Sequence, residues 1–347
     1  MFVHHVLEDR GSAQDMFYYI HTARRLGHEI ALYGPPFSES AFTYSLDIDS
    51  ADAVIFIFEW TTDIQYGNNL DLTRVISRIP RERRVVIDCD GKYNDAIRVL
   101  GDINHRDTVA SLRWVEICDS LSDKIFQPTL HPLRRNVRPF FFHAYNPAWE
   151  VPLDFSTREY GMVYVGNNWF RWRALERVLK AIEPIREQVG RIGLIGSGWD
   201  SPPPWSKPTL IEDAYYTDAE YLQGMDVDVM PPVQFSRVIE MMGRGIFSPV
   251  IYRPLFDYLS LVTCRTFETP AANTIPLFAQ DPTYVEEIYG KEGLELVLPE
   301  KDPEEKILDL LRRPQYYQKI VLNLRRHLAN KYSYSVRLNE LIQIVQD

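Results

Sequence analysis

The stretch from Thr263 to Gln280, TCRTFETPAANTIPLFAQ, holds the residues best suited to chemistry. Arg265 and Glu268 stand three apart, and small residues then lead into the apolar run Ile275 to Phe278. A carboxylate at a helix start can accept two hydroxyl hydrogen bonds from a ribose. Thr269, Ala271, Ala272, Asn273 and Thr274 are small enough for backbone to approach a pyrophosphate. The plainer reading of Arg265 and Glu268 is an i,i+3 ion pair on a helix surface. A second set of groups stands near strand ends and ahead of a proline-rich linker: Asp9, Asp88, Asp90 and His143. Each is of a type that can take a proton from an acceptor hydroxyl. The aspartates equally suit helix caps or turns, and His143 a packed, satisfied position. Asp88-Cys89-Asp90 also has the spacing of a divalent-metal pair. Two carboxylates are a thin ligand set, and no metal is expected.

These residues need a scaffold of alternating strands and helices. Phe2 to Leu7 reads as a strand, followed by a polar turn that contains Asp9. A helix then runs from about Gln14 to Leu26, with Phe17, Ile20, His21 and Arg24 at helical spacing. Gly27 closes that helix, and Glu29 to Tyr33 is the next strand. Ala53 to Phe58 is continuously apolar, as a parallel strand buried on both faces must be. Val85 to Ile87 and Lys124 to Phe126 are shorter runs of the same kind. The segment YNPAWEVP, Tyr145 to Pro152, has two prolines and no periodicity and marks an interdomain linker. Beyond it, Met162 to Val165 and Ile192 to Ile195 are strands ending in Gly166-Asn167-Asn168 and Gly196-Ser197-Gly198. A helix from Trp169 to about Ile185 lies between them, with Leu175, Val178, Leu179 and Ile182 facing inward. Ser201 to Pro208 is a rigid loop, and Phe247 to Ile251, Ile275 to Phe278 and Leu294 to Leu298 read as further strands. The tail from Pro303 is helical with a break near Tyr332-Ser333. The expectation is α/β: two Rossmann-like domains facing across a cleft, over residues 1–150 and 151–332. Ligands in such sheets sit beyond the strands' carboxyl ends.

Arg265-x-Phe267-Glu268, followed by small residues and an apolar strand, resembles the donor-site signature of GT-B glycosyltransferases. The resemblance is nearest to the CgeB-like and group 1 (family 4-like) branches. Gly27-His28-Glu29 is similar to the end of the first helix in many GT-B N-terminal domains. Tyr164 to Asn168, with Arg171 and Arg173 just beyond, resembles the opening of the C-terminal domain. Gly193 to Trp199 resembles its next strand and turn, and Tyr332 to Val345 the terminal helix that returns to the N-terminal domain, here residues 333–347. The resemblance implies a nucleotide-sugar glycosyltransferase, metal-independent and retaining. Glu268 would hold the ribose and Arg265 the phosphates or their loop. Asn273 and Thr274 would donate to the pyrophosphate. Gly166 and Asn167 would line the cleft, Arg171 would reach phosphate, and Tyr215 or Tyr216 would stack on the base. Asp9, Asp90 and His143 are the acid/base candidates. Two departures stand out: Ser260 where family 4 retaining enzymes carry a glutamate eight positions before Glu268, and Asn273 where a glycine is usual.

Bulk properties narrow the remaining classes. The 347 residues suffice for two cores, and 45% hydrophobic with 25% charged is ordinary for a globular chain. Twenty Tyr, 17 Phe and 7 Trp supply rings for pockets as well as cores. Net charge −10 disfavours attraction to nucleic acid, so none is expected as partner. The acceptor's class (glycan, lipid-linked, protein or small molecule) stays open. Cys89, Cys118 and Cys264 are scattered, which fits a reducing cytoplasm better than a disulfide frame. The N-terminus reaches charge too early for a secretory signal, and no run is long enough to span a bilayer. Gly193-Leu194-Ile195-Gly196-Ser197-Gly198 is not GxGxxG, and three prolines follow instead of a helix, which ranks an NAD-dependent oxidoreductase low. A noncatalytic sugar-nucleotide or glycan-binding protein of the same fold is the nearer alternative.

Overall fold

A computed structural model describes all residues except 5–10, 34–41, 60–76, 96–97, 101–105, 109–111 and 203–211. Asp9 lies outside the described residues, as do most of the Ser201 to Pro208 loop and the end of the first predicted strand. The N-terminal sheet contains β1 (Phe2–Val3), β2 (Leu32–Tyr33), β3 (Tyr44–Ser45), β4 (Val54–Phe58), β5 (Arg84–Asp88), β8 (Lys124–Gln127) and β9 (Val137–Pro139). Its order is β3-β2-β1-β4-β5-β8-β9, parallel throughout. A small antiparallel pair, β6 (Arg98–Leu100) and β7 (Arg106–Thr108), stands apart from it. The C-terminal sheet holds β10 (Tyr160–Val165), β11 (Ile192–Ile195), β12 (Val227–Met230), β13 (Gly245–Val250) and β14 (Ile275–Phe278). Its order is β12-β11-β10-β13-β14, again parallel. The fold is therefore the expected α/β pair of Rossmann-like sheets.

Residue chemistry explains the layering. Every residue of β4, VIFIF, is buried, since helices cover both faces of a parallel strand. The first helix, α1 (Gly11–Arg25), buries Ala13, Met16, Tyr19, Ile20 and Ala23. That corrects the predicted face: His21 and Arg24 are exposed, and Phe17 packs at its edge against His21. Ile20 of the predicted face is buried, but Tyr19, Met16 and the two alanines complete the face toward the sheet and leave Phe17 half-buried beside it. In α2 (Trp172–Ile182) the predicted face of Leu175, Val178, Leu179 and Ile182 is fully buried. Residues Trp169 to Arg171 precede this helix as a loop in which Phe170 takes φ 54°. Leu294 to Leu298 is not a strand: Lys291–Leu296 coils as a 3-10 turn, and only Val297 bridges Phe278. The alternating Val-Asp-Val of β12 gives a real but half-buried strand that its short length hides in the sequence.

Two crossings join the domains. The outgoing chain passes Tyr145, whose N–H donates to the Tyr332 carbonyl at 2.8 Å, and Val151, whose N–H donates to Ala271 at 3.0 Å. The returning chain leaves α4 (Pro314–Tyr332), and Ser333 bridges Tyr145. The last helix, α5 (Tyr334–Gln346), then buries Tyr334, Leu338, Leu341 and Ile344 among Phe2, Met16 and Tyr19 of the N-terminal core.

A buried arginine ties the linker to the C-terminal domain. The Arg325 guanidinium donates to the carbonyls of Pro270 (2.8 Å), Ala271 (3.1 Å), Ala272 (2.9 Å) and Val151 (2.8 Å). Three of these are carbonyls at the end of the helix α3 (Cys264–Ala271) that have no helical partner. Arg325→Leu is expected to lower stability by roughly 3–5 kcal/mol, because the Pro270 and Val151 carbonyls lose their donor while those of Ala271 and Ala272 keep only the Val151 and Thr274 N–H groups. Denaturant titration checks this, and a change under about 1 kcal/mol would mean that water or relaxation replaces the guanidinium.

Candidate functional site

Each sheet has a topological switch point, the crevice where strand order reverses, and the two crevices face each other. In the N-terminal sheet it lies between β1 and β4, bounded by His4, Gly11, Ser12 and Glu59. In the C-terminal sheet it lies between β10 and β13, bounded by Gly166 to Asn168 and the chain leading into α3. The facing ends touch: the Val262 N–H donates to Pro128 at 2.6 Å, and a Cβ on Gly91 would strike Leu259 at 2.6 Å.

At the junction the two domains bring acid, base and ion pair together. His143 Nδ1 lies 2.7 Å from Asp15 Oδ2, and both side chains are buried. The other Asp15 oxygen accepts from the Tyr334 hydroxyl at 2.5 Å. Glu59, just past β4, accepts from the Ser12 N–H at 2.8 Å and from the Ser12 hydroxyl, which also meets His4 Nε2 at 2.8 Å. Glu59 thus caps the start of α1. From the C-terminal side, Arg265 Nη1 donates to Glu268 Oε2 at 2.6 Å. Gly11 lies between these groups. A Cβ there would sit 3.4 Å from Cys264 Sγ, 3.5 Å from Glu59 Oε1 and 3.5 Å from His143 Cε1.

Electrostatics makes this a tuned cluster. Burial pushes the Glu59 carboxyl up, and Asp90 adds to that, against His143 and Ser12. Burial likewise raises Glu268, with Arg265 opposing and Asp15 adding. Burial alone would lower the His143 imidazole, but Asp15, Glu59 and Glu268 more than reverse it, so its pKa rises above the ordinary 6.5. Perturbed groups gathered in a crevice are a hallmark of chemistry.

The predicted residues divide accordingly. His143, Arg265 and Glu268 meet at the junction. Arg265 and Glu268 do form the i,i+3 pair, but buried, with side-chain exposures of 17% and 4%, so the surface reading is corrected. Asp90 follows β5 and acts electrostatically on Glu59. Asp88 is wholly buried and accepts from Tyr93 N–H (2.7 Å) and Gln127 Nε2 (2.8 Å), the work of a turn-holding residue and not of a metal pair. Gly166 accepts from Trp199 Nε1 at 2.8 Å, Asn167 from Ser197 N–H at 2.8 Å, and Arg171 donates to the Asn167 carbonyl at 3.0 Å. These three shape the rim of the C-terminal crevice. Asn273 and Thr274 require correction. They lie past the end of α3, entering β14, at the amino ends of the strands. There Asn273 Oδ1 accepts from Asp154 N–H and Arg158, and Thr274 donates to Gly245 and Ile246. The small-residue run closes a helix and does not wrap a pyrophosphate. Tyr215 is also corrected: at 5% exposure it packs beneath the Gly198 turn, whereas Tyr216, 38% exposed, can offer a ring face.

Sequence reasoning missed Asp15, Glu59, Gly11 and Tyr334. Glu59 alone carried a signal, as the first polar residue after the apolar β4 run. Gly11 yields a prediction. An Ala methyl meets its three neighbours at ordinary contact distance and helix propensity favours it, so Gly11→Ala should keep or slightly raise the melting temperature. By filling the gap it should cut turnover at least about tenfold, as small displacements of reacting groups do. Wild-type turnover in this variant would show that the gap is not where substrates meet.

Among the described residues, no helix is long and apolar enough to cross a membrane, and no group of three His, Cys, Asp or Glu could hold a metal ion. No protein-family model and no curated protein sequence matches the chain. Solved structures do. An alpha-glucosyltransferase in complex with UDP-glucose and DNA containing an abasic site is 15% identical, with TM-score 0.70, over 100% of this chain and 98% of that one. The alpha-glucosyltransferase with UDP and a 13-mer DNA containing a HMU base is 13% identical, with TM-score 0.62 and the same coverage. T4 phage BGT in complex with UDP and Mn2+ is 11% identical, with TM-score 0.59 and full coverage of both chains. The expectation of no nucleic acid is overturned by these structures, two of which hold DNA on this fold. Net charge is an average over the chain and does not describe the groups that line one cleft. The chain has the GT-B fold along its whole length.

Proposed function

We propose that the protein transfers a sugar from a nucleotide-sugar donor to a hydroxyl group on DNA. The observation that carries this reading is the Asp15–His143 pair of one crevice meeting the Arg265–Glu268 pair of the other. The donor lies against the C-terminal domain, 151–332: Glu268 accepts from the ribose hydroxyls, and Arg265 with Arg171 carries the diphosphate. Tyr216 is the ring available to the base. The acceptor enters against the N-terminal domain, 1–150 with the returning helix. For the retention that the resemblance implies, its oxygen bonds to the anomeric carbon on the face from which the diphosphate departs, as the bond to the diphosphate breaks. The hydroxyl proton passes to His143 Nε2, while Asp15 holds Nδ1–H and stabilises the imidazolium. Asp90 raises the local negative potential, and Arg265 offsets charge developing on the leaving diphosphate.

The DNA acceptor is supported by the fold shared with glucosyltransferases that hold DNA. The kinship to the CgeB-like and group 1 branches, the absence of a metal requirement and retention at the anomeric carbon rest on the sequence resemblance. A thermal-shift panel of UDP, GDP, TDP, ADP and CDP tests the donor site, each with magnesium and with a chelator. Stabilisation by one nucleoside diphosphate under both conditions is expected. A shift that needs the metal refutes metal independence, and no shift with any of them refutes the donor site. The anomeric proton of the product, read by NMR, decides retention against inversion.

A further inference from the structure

We infer that Tyr334 is a positioning residue for the acid/base pair, so that the returning C-terminal helix completes the site from the far end of the chain. This rests on the reading of His143 as base. The phenol donates to Asp15 Oδ1 at 2.5 Å while Asp15 Oδ2 holds His143 Nδ1 at 2.7 Å. All three residues are buried, at 5%, 3% and 5% exposure. A carboxylate anchored through one oxygen can rotate about its terminal torsion. Anchored through both, it presents a fixed oxygen to the imidazole, which keeps the proton on Nδ1 and leaves Nε2 as the acceptor.

The backbone supports the same arrangement. His143 precedes Tyr145 on the outgoing crossing by two residues, and Tyr334 follows Ser333 on the returning one. Ser333 and Tyr145 are joined as a bridge. The two crossings therefore lie side by side, with Asp15 of α1 spanning the side chains they carry. The Tyr334 ring is fixed by Tyr18, Tyr19 and Trp149, with ring centroids 5.1, 5.3 and 6.1 Å away. Cutting or shifting the return of the chain would therefore release Asp15.

Tyr334→Phe keeps the ring and removes only the hydroxyl. The charged groups facing the imidazole are Asp15 on α1, Glu59 after β4 and Glu268 on α3. With the phenol gone, the Asp15 charge is less satisfied and holds the imidazolium more strongly. The His143 Cε1–H NMR titration in the full chain, assigned with His143→Gln, is expected to move to higher pH. In the transfer assay kcat should fall about 10–100-fold with the donor KM unchanged. In an Asp15→Asn background the same change should cost nothing further, because Tyr334 acts through Asp15. An unmoved titration overturns the inference, and so does a loss that multiplies with that of Asp15→Asn. If His143→Gln itself keeps full activity, the base reading fails instead, and the titration still reports whether Tyr334 governs the pair.

Discussion

His143→Gln is expected to lower kcat by about 10²–10⁴-fold, the range that a positioned general base contributes. Donor affinity is expected to stay at the wild-type value, because the proposed donor residues, Arg265 and Glu268, form their own pair across the junction. Glutamine can still donate to Asp15, so the fold should survive. The pH profile gives a second, signed test. A base at His143 must be neutral to take the proton, so kcat/KM is expected to rise with pH through the raised His143 pKa, above the ordinary 6.5. Stability runs the other way. A group with a folded pKa above its unfolded one stabilises fully below the unfolded value, and that stabilisation is lost as pH climbs through the folded value. Activity should therefore be gained over the pH range in which the imidazolium–Asp15 stabilisation is lost. Asp15→Asn removes the anion that opposes burial, so its acid limb should move to lower pH. An acid limb that persists unchanged in Asp15→Asn would assign the limb to another group.

Glu268→Gln is expected to weaken nucleoside diphosphate binding by about 10–100-fold, which corresponds to roughly 1.5–3 kcal/mol for hydrogen bonds to a charged group. In the proposed donor site the carboxylate offers both oxygens to the ribose hydroxyls, whereas an amide offers only one oxygen as acceptor. Its loss also leaves the Arg265 guanidinium, 17% exposed, without its partner. Calorimetry gives the affinity and denaturant titration the stability, which separates the two consequences. Affinity equal to wild type would remove Glu268 from the donor site, whatever happened to stability.

How much of this was legible in the sequence follows from the range of each signal. The fully apolar runs that became β4, β5, β10 and β14 were readable because a parallel strand buried on both faces admits little else. Arg265 and Glu268 were readable as a unit because their interaction spans three residues. Asn273 and Thr274 were misassigned because small residues look alike in a phosphate loop and at a helix end. Only the fold shows that they lie at the amino ends of the strands, with Arg158 and Gly245. Asp15 and Tyr334 were out of reach. Asp15 lies 128 residues from His143 and 319 from Tyr334, and in sequence it is one more acid near a helix start. Nucleic acid was excluded on net charge, a whole-chain quantity that carries no information about a single cleft. Ser260, where family 4 enzymes place a glutamate, takes φ 50° in the turn whose leucines meet Gly91, so that position shapes an interdomain contact here.

The proposed reaction is sugar transfer to DNA at the junction of the two crevices. Its most direct test is mass spectrometry of an oligonucleotide bearing a hydroxymethylated pyrimidine, incubated with the wild-type protein and UDP-glucose. A gain of one hexose on the oligonucleotide with stoichiometric release of UDP is expected, and no gain with His143→Gln over the same interval. An oligonucleotide of unchanged mass, under conditions where UDP measurably stabilises the protein, would contradict the DNA acceptor and leave only the donor site standing.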